Sequence, residues 1–296
     1  MKDGAVEDQK VRDYAKSPAA AVSLAVSLAV SIVVYFPDPA WLKTTLDSLV
    51  AALAHARHAG VMRRATICLV DNQARALTSA YSAVMTEACL EYGWIDTVSI
   101  VGHGNIGYGR GNNLAIARCG AADMHLVLNP DVELAVDALT NAIDYLAAHA
   151  NCAMVSPVAT TAEAKPLYLV KQFPDLFTLA LRGLAPNGLK RRFQARLDAY
   201  ERKETAFDAA ITDAAIVSGC FMLIRRRALD TAQGFDPNFF LYFEDFDLSY
   251  RIAQFASLAR VAEVRVVHAG GGAAAKGWRH VLMFVRSAIY FLWKHR

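Results

Sequence analysis

The sequence predicts an α/β fold built on a doubly wound, mostly parallel sheet, and three observations carry that prediction. Apolar strand-like runs alternate with helical patterns through the first half of the chain. A polar cluster closes each later run, where such a sheet opens its ligand crevice. The 296 residues, 55% hydrophobic and 20% charged, are enough for a sizeable buried core, which excludes wholesale disorder.

Leu28 to Phe36 reads as a buried first strand, stopped by Pro37-Asp38-Pro39. It ends the longest apolar run, Ala19 to Phe36, which Ala and Ser dilute and which is about the minimum length for spanning a bilayer. Residues 1–27 form a polar leader in which Asp3, Glu7, Asp8 and Asp13 accompany Lys and Arg, unlike the basic leader of a signal peptide. A helix from about Trp41 to His58 follows, then a strand at Thr66–Asp71 and a helix through Glu91. Thr97–Val101 is a third strand, a helix starts at about Gly111, and Met124–Asn129 is a fourth strand. This order implies right-handed βαβ units. The first suspects for chemistry are then the strand ends, Asp71-Asn72, Gly102 to Asn113, and Asn129-Pro130-Asp131.

The second half loses the alternation. Lys165 to Glu204 is irregular and basic, Ala214–Ile224 reads as a strand, Phe235–Phe243 as an aromatic loop and Glu244–Phe255 as a helix. Val261–Val267 is a last strand leading to His268 and Gly270-Gly271-Gly272. No repeat or low-complexity linker separates the halves, so one composite domain is expected over residues 28–275, with its first half ending at 160.

The formal charge of +3 is too even to point to nucleic acid, but it is unevenly placed. Lys165–Glu204 carries net +5, Lys276–Arg296 another +5, and the remaining body is acidic. The second segment, residues 276–296, mixes its cations with Trp278, Leu282, Phe284, Ile289, Tyr290, Phe291 and Trp293 as an amphipathic helix. It suits either an anionic membrane surface or packing on the body. The five cysteines are odd in number, widely spaced and without a Cys-x-x-Cys, so neither a disulfide framework nor a cysteine zinc site is indicated. A reducing, cytoplasmic setting fits them.

Gly102-His103-Gly104-Asn105-Ile106-Gly107 literally satisfies the G-x-G-x-x-G dinucleotide fingerprint, which suggests NAD and an oxidoreductase. It follows the third strand instead of the first, however, and no acidic residue ends a strand about 20 positions later. A tight turn without ligand is one alternative. Another is that Asn105, Arg110, Asn112 and exposed backbone amides grip a base or diphosphate. Asp131 in Asn-Pro-Asp is either a helix-starting turn or a carboxylate for a hard cation. Glu244, Asp245 and Asp247 cap a helix or, after the aromatic run, offer a carboxylate with a raised pKa as general base. His268 is a core histidine or a ligand that completes a mixed oxygen and nitrogen site with Asp131.

Taken in order, Ser31-Ile32-Val33-Val34-Tyr35, Val70-Asp71-Asn72, Asn105 through Asn113, Asn129-Pro130-Asp131, Ser218 through Arg225, Gly234-Phe235-Asp236 through Leu248, and His268-x-Gly270-Gly271-Gly272 resemble the family-2 glycosyltransferases. The nearest branch is similar to the rhamnosyltransferases of bacterial surface-polysaccharide and O-antigen synthesis. The resemblance implies a GT-A fold, a nucleotide-diphosphate sugar donor, a divalent cation (Mg or Mn) and inversion at the anomeric carbon. With that activity the two basic segments suit a glycan or polyprenyl-diphosphate-linked acceptor and a peripheral place at the inner face of the plasma membrane. Carried over residue by residue, Val34, Tyr35, Asp71, Asn105, Gly107, Arg110, Asn112, Asn129, Gly219 and Cys220 would line the nucleotide-sugar site. Asp71 would touch the nucleoside, and Gly219 and Cys220 would floor the sugar. Asp131 and His268 would hold the metal, Asp245 would be the general base and Glu244 its support. The metal motif departs from the family's Asp-x-Asp and keeps one carboxylate. A non-catalytic nucleotide-sugar-binding subunit remains the non-enzymatic alternative.

Overall fold

The computed structural model describes residues 25–73, 78–120, 122–270 and 278–296. Most of the leader, Gly271, Gly272 and Lys276 lie outside the described residues. In chain order the elements are β1 (Val26–Val34), α1 (Pro39–His58), β2 (Met62–Asp71), α2 (Thr78–Cys89), β3 (Ile95–Ile100), α3 (Tyr108–Arg118), β4 (Met124–Leu128), β5 (Val132–Leu134), α4 (Ala138–Ala148) and β6 (Cys152–Thr160). There follow β7 (Pro166–Leu167), β8 (Val170–Lys171), α5 (Leu176–Leu184), α6 (Asn187–Arg192), α7 (Gln194–Tyr200), β9 (Ile216–Val217), β10 (Phe221–Arg225), α8 (Arg226–Thr231), α9 (Glu244–Ala253), β11 (Ser257–His268) and α10 (Trp278–Lys294).

The main sheet runs β3-β2-β1-β4-β10-β6-β11-β5, with β7 on β6. β3, β2, β1 and β4 are parallel, and β10 enters antiparallel between β4 and β6. Every residue of β1 is buried, as a strand covered on both faces requires. The chain leaves β1 through Pro39, the first residue of α1, and the Asp38 carboxylate caps that helix by accepting from the Ala40 and Trp41 N–H groups.

Two expectations change. The strand expected at Ala214–Ile224 is broken at Ser218-Gly219-Cys220 into β9 and β10, which belong to different sheets. The break has a physical cause: the Gly219 N–H is drawn off to the Asp245 carboxylate and the Gly219 carbonyl to the Tyr108 hydroxyl, so neither can join a ladder. The helix expected from about Gly111 starts at Tyr108, after Gly107 at φ +93°. Among the described residues no helix is long and apolar enough to cross a membrane.

Candidate active site

The site is assembled at the carboxyl ends of β1, β2 and β4 and at the turn before β10. β11 pairs antiparallel with β5 in a register that sets His268 opposite Val132, so His268 stands beside Asp131. Asp131 Oδ1 is buried without a hydrogen-bond partner and lies 3.2 Å from His268 Nε2, an ion-pair contact outside hydrogen-bond geometry. The Ala269 N–H donates to the Asp131 carbonyl at 3.0 Å, which ties the end of β11 to the Asn-Pro-Asp turn. A Cβ on Gly270 would collide with the Asp131 carboxylate, so only glycine lets the backbone pass there. The pair fits a divalent ion: an oxygen and a nitrogen donor about 3 Å apart match neighbouring positions on an octahedral cation with ligands at about 2.1 Å. Among the described residues no third His, Cys, Asp or Glu joins them, so a phosphate-bearing ligand and water would supply the remaining positions.

The acid pair lies across the turn before β10. Asn129 donates its N–H to the Cys220 carbonyl at 2.9 Å, and the next residue back, Gly219, donates its own to Asp245 Oδ2 at 2.8 Å. Asp245 Oδ1 accepts from the Phe246 N–H at 2.9 Å, so the carboxylate is fixed in direction with a lone pair left on each oxygen. The Tyr108 hydroxyl donates to the Gly219 carbonyl at 2.7 Å and lies 3.0 Å from Asn129 Oδ1, bridging the Asn-Pro-Asp turn to the acid side. Asp131, Asn129, Cys220, Gly219 and Asp245 therefore form one bonded path across the cleft.

Burial dominates the electrostatics. Glu244, 4% exposed, has one carboxyl oxygen without a partner, and burial with the neighbouring Asp245 charge pushes its pKa up to about 8. Burial also raises Asp245, while the Gly219 N–H and the Lys171 ammonium restrain the rise. Each carboxyl thus raises its neighbour's affinity for a proton, and of the two only Asp245 has backbone N–H groups and a nearby ammonium that favour its charge. Lys171, 6% exposed, donates to the Tyr168 carbonyl at 3.0 Å, and burial pulls its pKa down to about 8. Asp247, the third acid of the cluster, belongs elsewhere: burial opposes its charge, but His295, Arg251 and Lys294 hold its pKa at about 2. It anchors α10.

The turn into α9 is strained. Tyr242 and Phe243 take φ of +70° and +67°, a region in which non-glycine residues cost on the order of 1–3 kcal/mol each. Packing holds them there. Phe243 sits among Phe246, Phe284 and Phe291, and the Tyr242 hydroxyl lies 2.9 Å from His280 Nδ1. Three of those four partners come from α10.

The glycine-rich segment serves differently from expectation. A Cβ at Gly107 would strike the Phe240 carbonyl oxygen, one at Gly109 would press on Phe235 and Glu244, and one at Gly111 would press on Val33. The Gly107 N–H donates to Asn105 Oδ1 and the Tyr108 N–H to the Phe240 carbonyl, so these amides are already engaged. Asn113 clasps the Phe235 backbone with both amide groups, and Arg110 donates to the Pro237 carbonyl. Asn112 is fully buried, its amide held by the Ser31 hydroxyl and the Tyr108 carbonyl. The segment is a seam that holds the aromatic loop carrying the acid pair, which accounts for the glycines without NAD. Val34 is likewise a core residue, and its carbonyl accepts from the Asn72 N–H.

Other expected residues lie at or beyond the carboxyl ends of β1, β2 and β3. Tyr35 is 54% exposed at the end of β1, edge-on to Phe36, and Asn105 is exposed. Asp71 is buried with one oxygen bound to the Gln73 N–H and the other unpartnered, beside an equally unpartnered Gln73 amide nitrogen. Cys220 contributes backbone only, because burial pushes its thiol up to about 12. The sequence reading missed roles for Tyr108, Gln73 and Lys171. Tyr108 lay inside the glycine-rich stretch and Gln73 beside Asp71, whereas the signal for Lys171 was a lone cation in an apolar run, Leu167–Phe173.

No protein-family model matches the chain. It is 28% identical over 183 residues to Rhamnosyltransferase WbbL of Escherichia coli (strain K12), an alignment covering 58% of this chain and 62% of that protein. It is 25% identical over 181 residues to the N-acetylglucosaminyl-diphospho-decaprenol L-rhamnosyltransferase of Mycobacterium tuberculosis, covering 55% of this chain and 56% of the relative. The chain thus spans about three fifths of the length of the curated relatives it matches. Among solved structures, the mannosyltransferase PcManGT from Pyrobaculum calidifontis, in complex with GDP-Man and Mn2+, superposes with a TM-score of 0.57 at 16% identity over 95% of this chain and 70% of that one. GalNAc-T7 with UDP, GalNAc and Mn2+ superposes with a TM-score of 0.59 at 15% identity, covering 83% of this chain and 44% of that one. The fold and the sequence matches agree: this chain has the fold of the GT-A glycosyltransferases and is similar in sequence to bacterial rhamnosyltransferases.

Proposed function

We propose that this protein is an inverting glycosyltransferase that moves a sugar from a nucleotide-diphosphate donor to a saccharide acceptor. The observation that carries the reading is the convergence of Asp131 and His268, 3.2 Å apart, with the Asp245 carboxylate across the Asn129–Cys220–Gly219 path. The likeness to a rhamnosyltransferase and to an L-rhamnosyltransferase supports L-rhamnose as the sugar, with dTDP-rhamnose as the donor proposed here, and the likeness to the mycobacterial enzyme supports an acceptor on a lipid diphosphate. The division of the chain at about residue 160 into a donor half and an acceptor half belongs to the same proposal. So does a cytoplasmic location.

In this mechanism Asp245, fixed by the Gly219 and Phe246 N–H groups, accepts the proton of an acceptor hydroxyl as that oxygen attacks the anomeric carbon opposite the diphosphate. One displacement inverts the stereochemistry. Glu244, buried beside it, raises its neighbour's affinity for that proton. Asp71 presents its unpartnered oxygen to the nucleoside, and Tyr35 offers an exposed ring beside it. Asp131 and His268 would hold Mg or Mn, which when bound neutralises the charge growing on the diphosphate.

The test is transfer itself. With dTDP-rhamnose, a lipid-diphosphate-linked N-acetylglucosamine and Mn, product with inverted configuration supports the reading, and a thermal-shift panel of dTDP-, UDP- and GDP-sugars identifies the donor. If neither binding nor transfer occurs with any of these donors, the reading is wrong.

A further inference from the structure

We propose that α10 and the α5–α6 segment form one face that docks on an anionic lipid bilayer. α10 uses one side to pack on the body: Ser287, Ala288 and Phe291 are buried, and Phe291 joins a cluster with Leu179 of α5 and Phe239 and Phe243 of the aromatic loop. Its other side is open. Trp278, Leu282, Ile289 and Trp293 are 72%, 60%, 61% and 66% exposed. Their spacing of four, seven and four residues puts them on one stripe of a 3.6-residue helix. Single exposed apolar residues are ordinary, but four in one stripe with tryptophan at each end are the pattern of an interfacial helix.

Charge identifies the occupant. The described part of α10 and the residues after it hold Arg279, Arg286, Lys294 and Arg296 and no carboxylate. The fold brings the other basic segment to it: a Cβ at Gly183 of α5 would lie 3.5 Å from the Phe284 ring. That neighbour adds exposed Leu176, Phe177 and Leu189 together with Lys190, Arg191 and Arg192, which end α6. Two segments that are each net basic in sequence are thus brought together through Gly183 and Leu179 against Phe284 and Phe291, in a protein whose remaining sequence is acidic. Lys294 turns inward to Asp236 and Asp247, but apolar side chains ringed by the exposed Arg191, Arg192, Arg279, Arg286 and Arg296 suit anionic headgroups over acyl chains better than a second copy of this chain, which would set cation against cation. The face also reaches the site. Ser287 donates to the Leu241 carbonyl, and α10 holds the strained Tyr242–Phe243 turn from which the acid pair emerges, so docking would present the cleft to a lipid-borne acceptor. That last consequence rests on the proposed function; the docking face itself does not.

The experiment uses the full chain without donor or acceptor, so its outcome is independent of transfer. Flotation is measured with vesicles of phosphatidylcholine alone and of phosphatidylcholine with phosphatidylglycerol, at low and high salt. Binding to the anionic vesicles only, weakened by salt, is expected. Lys190→Ala with Arg191→Ala and Arg192→Ala should lower partitioning about a hundredfold. Trp278→Ser with Leu282→Ser, Ile289→Ser and Trp293→Ser should abolish it. All seven positions lie outside the site, and circular dichroism and the unfolding midpoint confirm that each variant is folded. Equal binding to both vesicles, no binding to either, or folded variants that float like wild type would overturn the proposal. A wild-type dimer dissolved by the serine variant would assign the stripe to a second copy instead.

Discussion

The parallel half of the sheet and the half beyond β4 build the same cleft by different means. In β1 to β4 each candidate ligand residue is placed by its own strand: the run ends, the chain turns, and Tyr35, Asp71 and Asn129 stand at the carboxyl edge. Beyond β4 no local rule does this. Gly219, Asp245 and His268 reach the cleft because β10 threads antiparallel between β4 and β6, α9 begins from a strained turn, and β11 pairs with β5 in one register. The parallel half would therefore determine donor binding and the other half chemistry, with the glycine-rich segment as the joint between them.

The largest expected effect tests the chemical side. Asp245→Asn removes the base and keeps an accepting oxygen for only one of the Gly219 and Phe246 N–H groups, so turnover should fall on the order of 10² to 10⁴-fold with donor affinity unchanged and the unfolding midpoint somewhat lowered; a small loss would remove Asp245 from the role. Next comes the joint. Gly107→Ala puts a side chain into the Phe240 carbonyl at a positive φ and should cost about 3 kcal/mol or more in urea unfolding. Gly104→Ala, at φ +70° with nothing within 4 Å, should cost only about 1 kcal/mol, and equal losses would deny the seam its packing role. On the donor side, Asp71→Asn should weaken nucleotide-sugar binding about tenfold, read as a raised KM with kcat preserved.

The burial of the acid pair is read as a slope. The Glu244 carboxyl releases its proton near 4.5 when unfolded and at about 8 when folded, so the native state holds the extra proton in between. Stability should then decline as pH rises from 4.5 towards 8 and level off above, and Glu244→Gln should flatten part of that decline in denaturant midpoints taken across the range.

Where local pattern governs, the sequence was readable. The alternation of β1, α1, β2, α2, β3, α3 and β4 follows from apolar periodicity and from punctuation such as Pro37-Asp38-Pro39, and the structure shifts only the boundaries. Legibility failed where a residue's partner is remote. Asn112 and Gly107 carry the chemistry of ligand-binding residues, yet Ser31 and Phe240 claim them. Ala214–Ile224 has a strand's composition, yet Asp245 and Tyr108 break it. α10 divides its apolar surface between the body and the outside, which periodicity alone cannot apportion, since the stripe buried against Phe243 and the stripe bearing Trp278 are both hydrophobic.

By itself the sequence determined the layered α/β architecture, the crevice at the strand ends and the short roll of acids and one histidine able to do chemistry there, because strand and helix periods and turn residues act over a few positions. Only the tertiary structure decided which of those groups face one another, which acids are buried and which glycines serve packing. Those outcomes depend on burial and on contacts between remote segments, such as the 137 residues that separate Asp131 from His268, and neither is written in any local stretch of the chain.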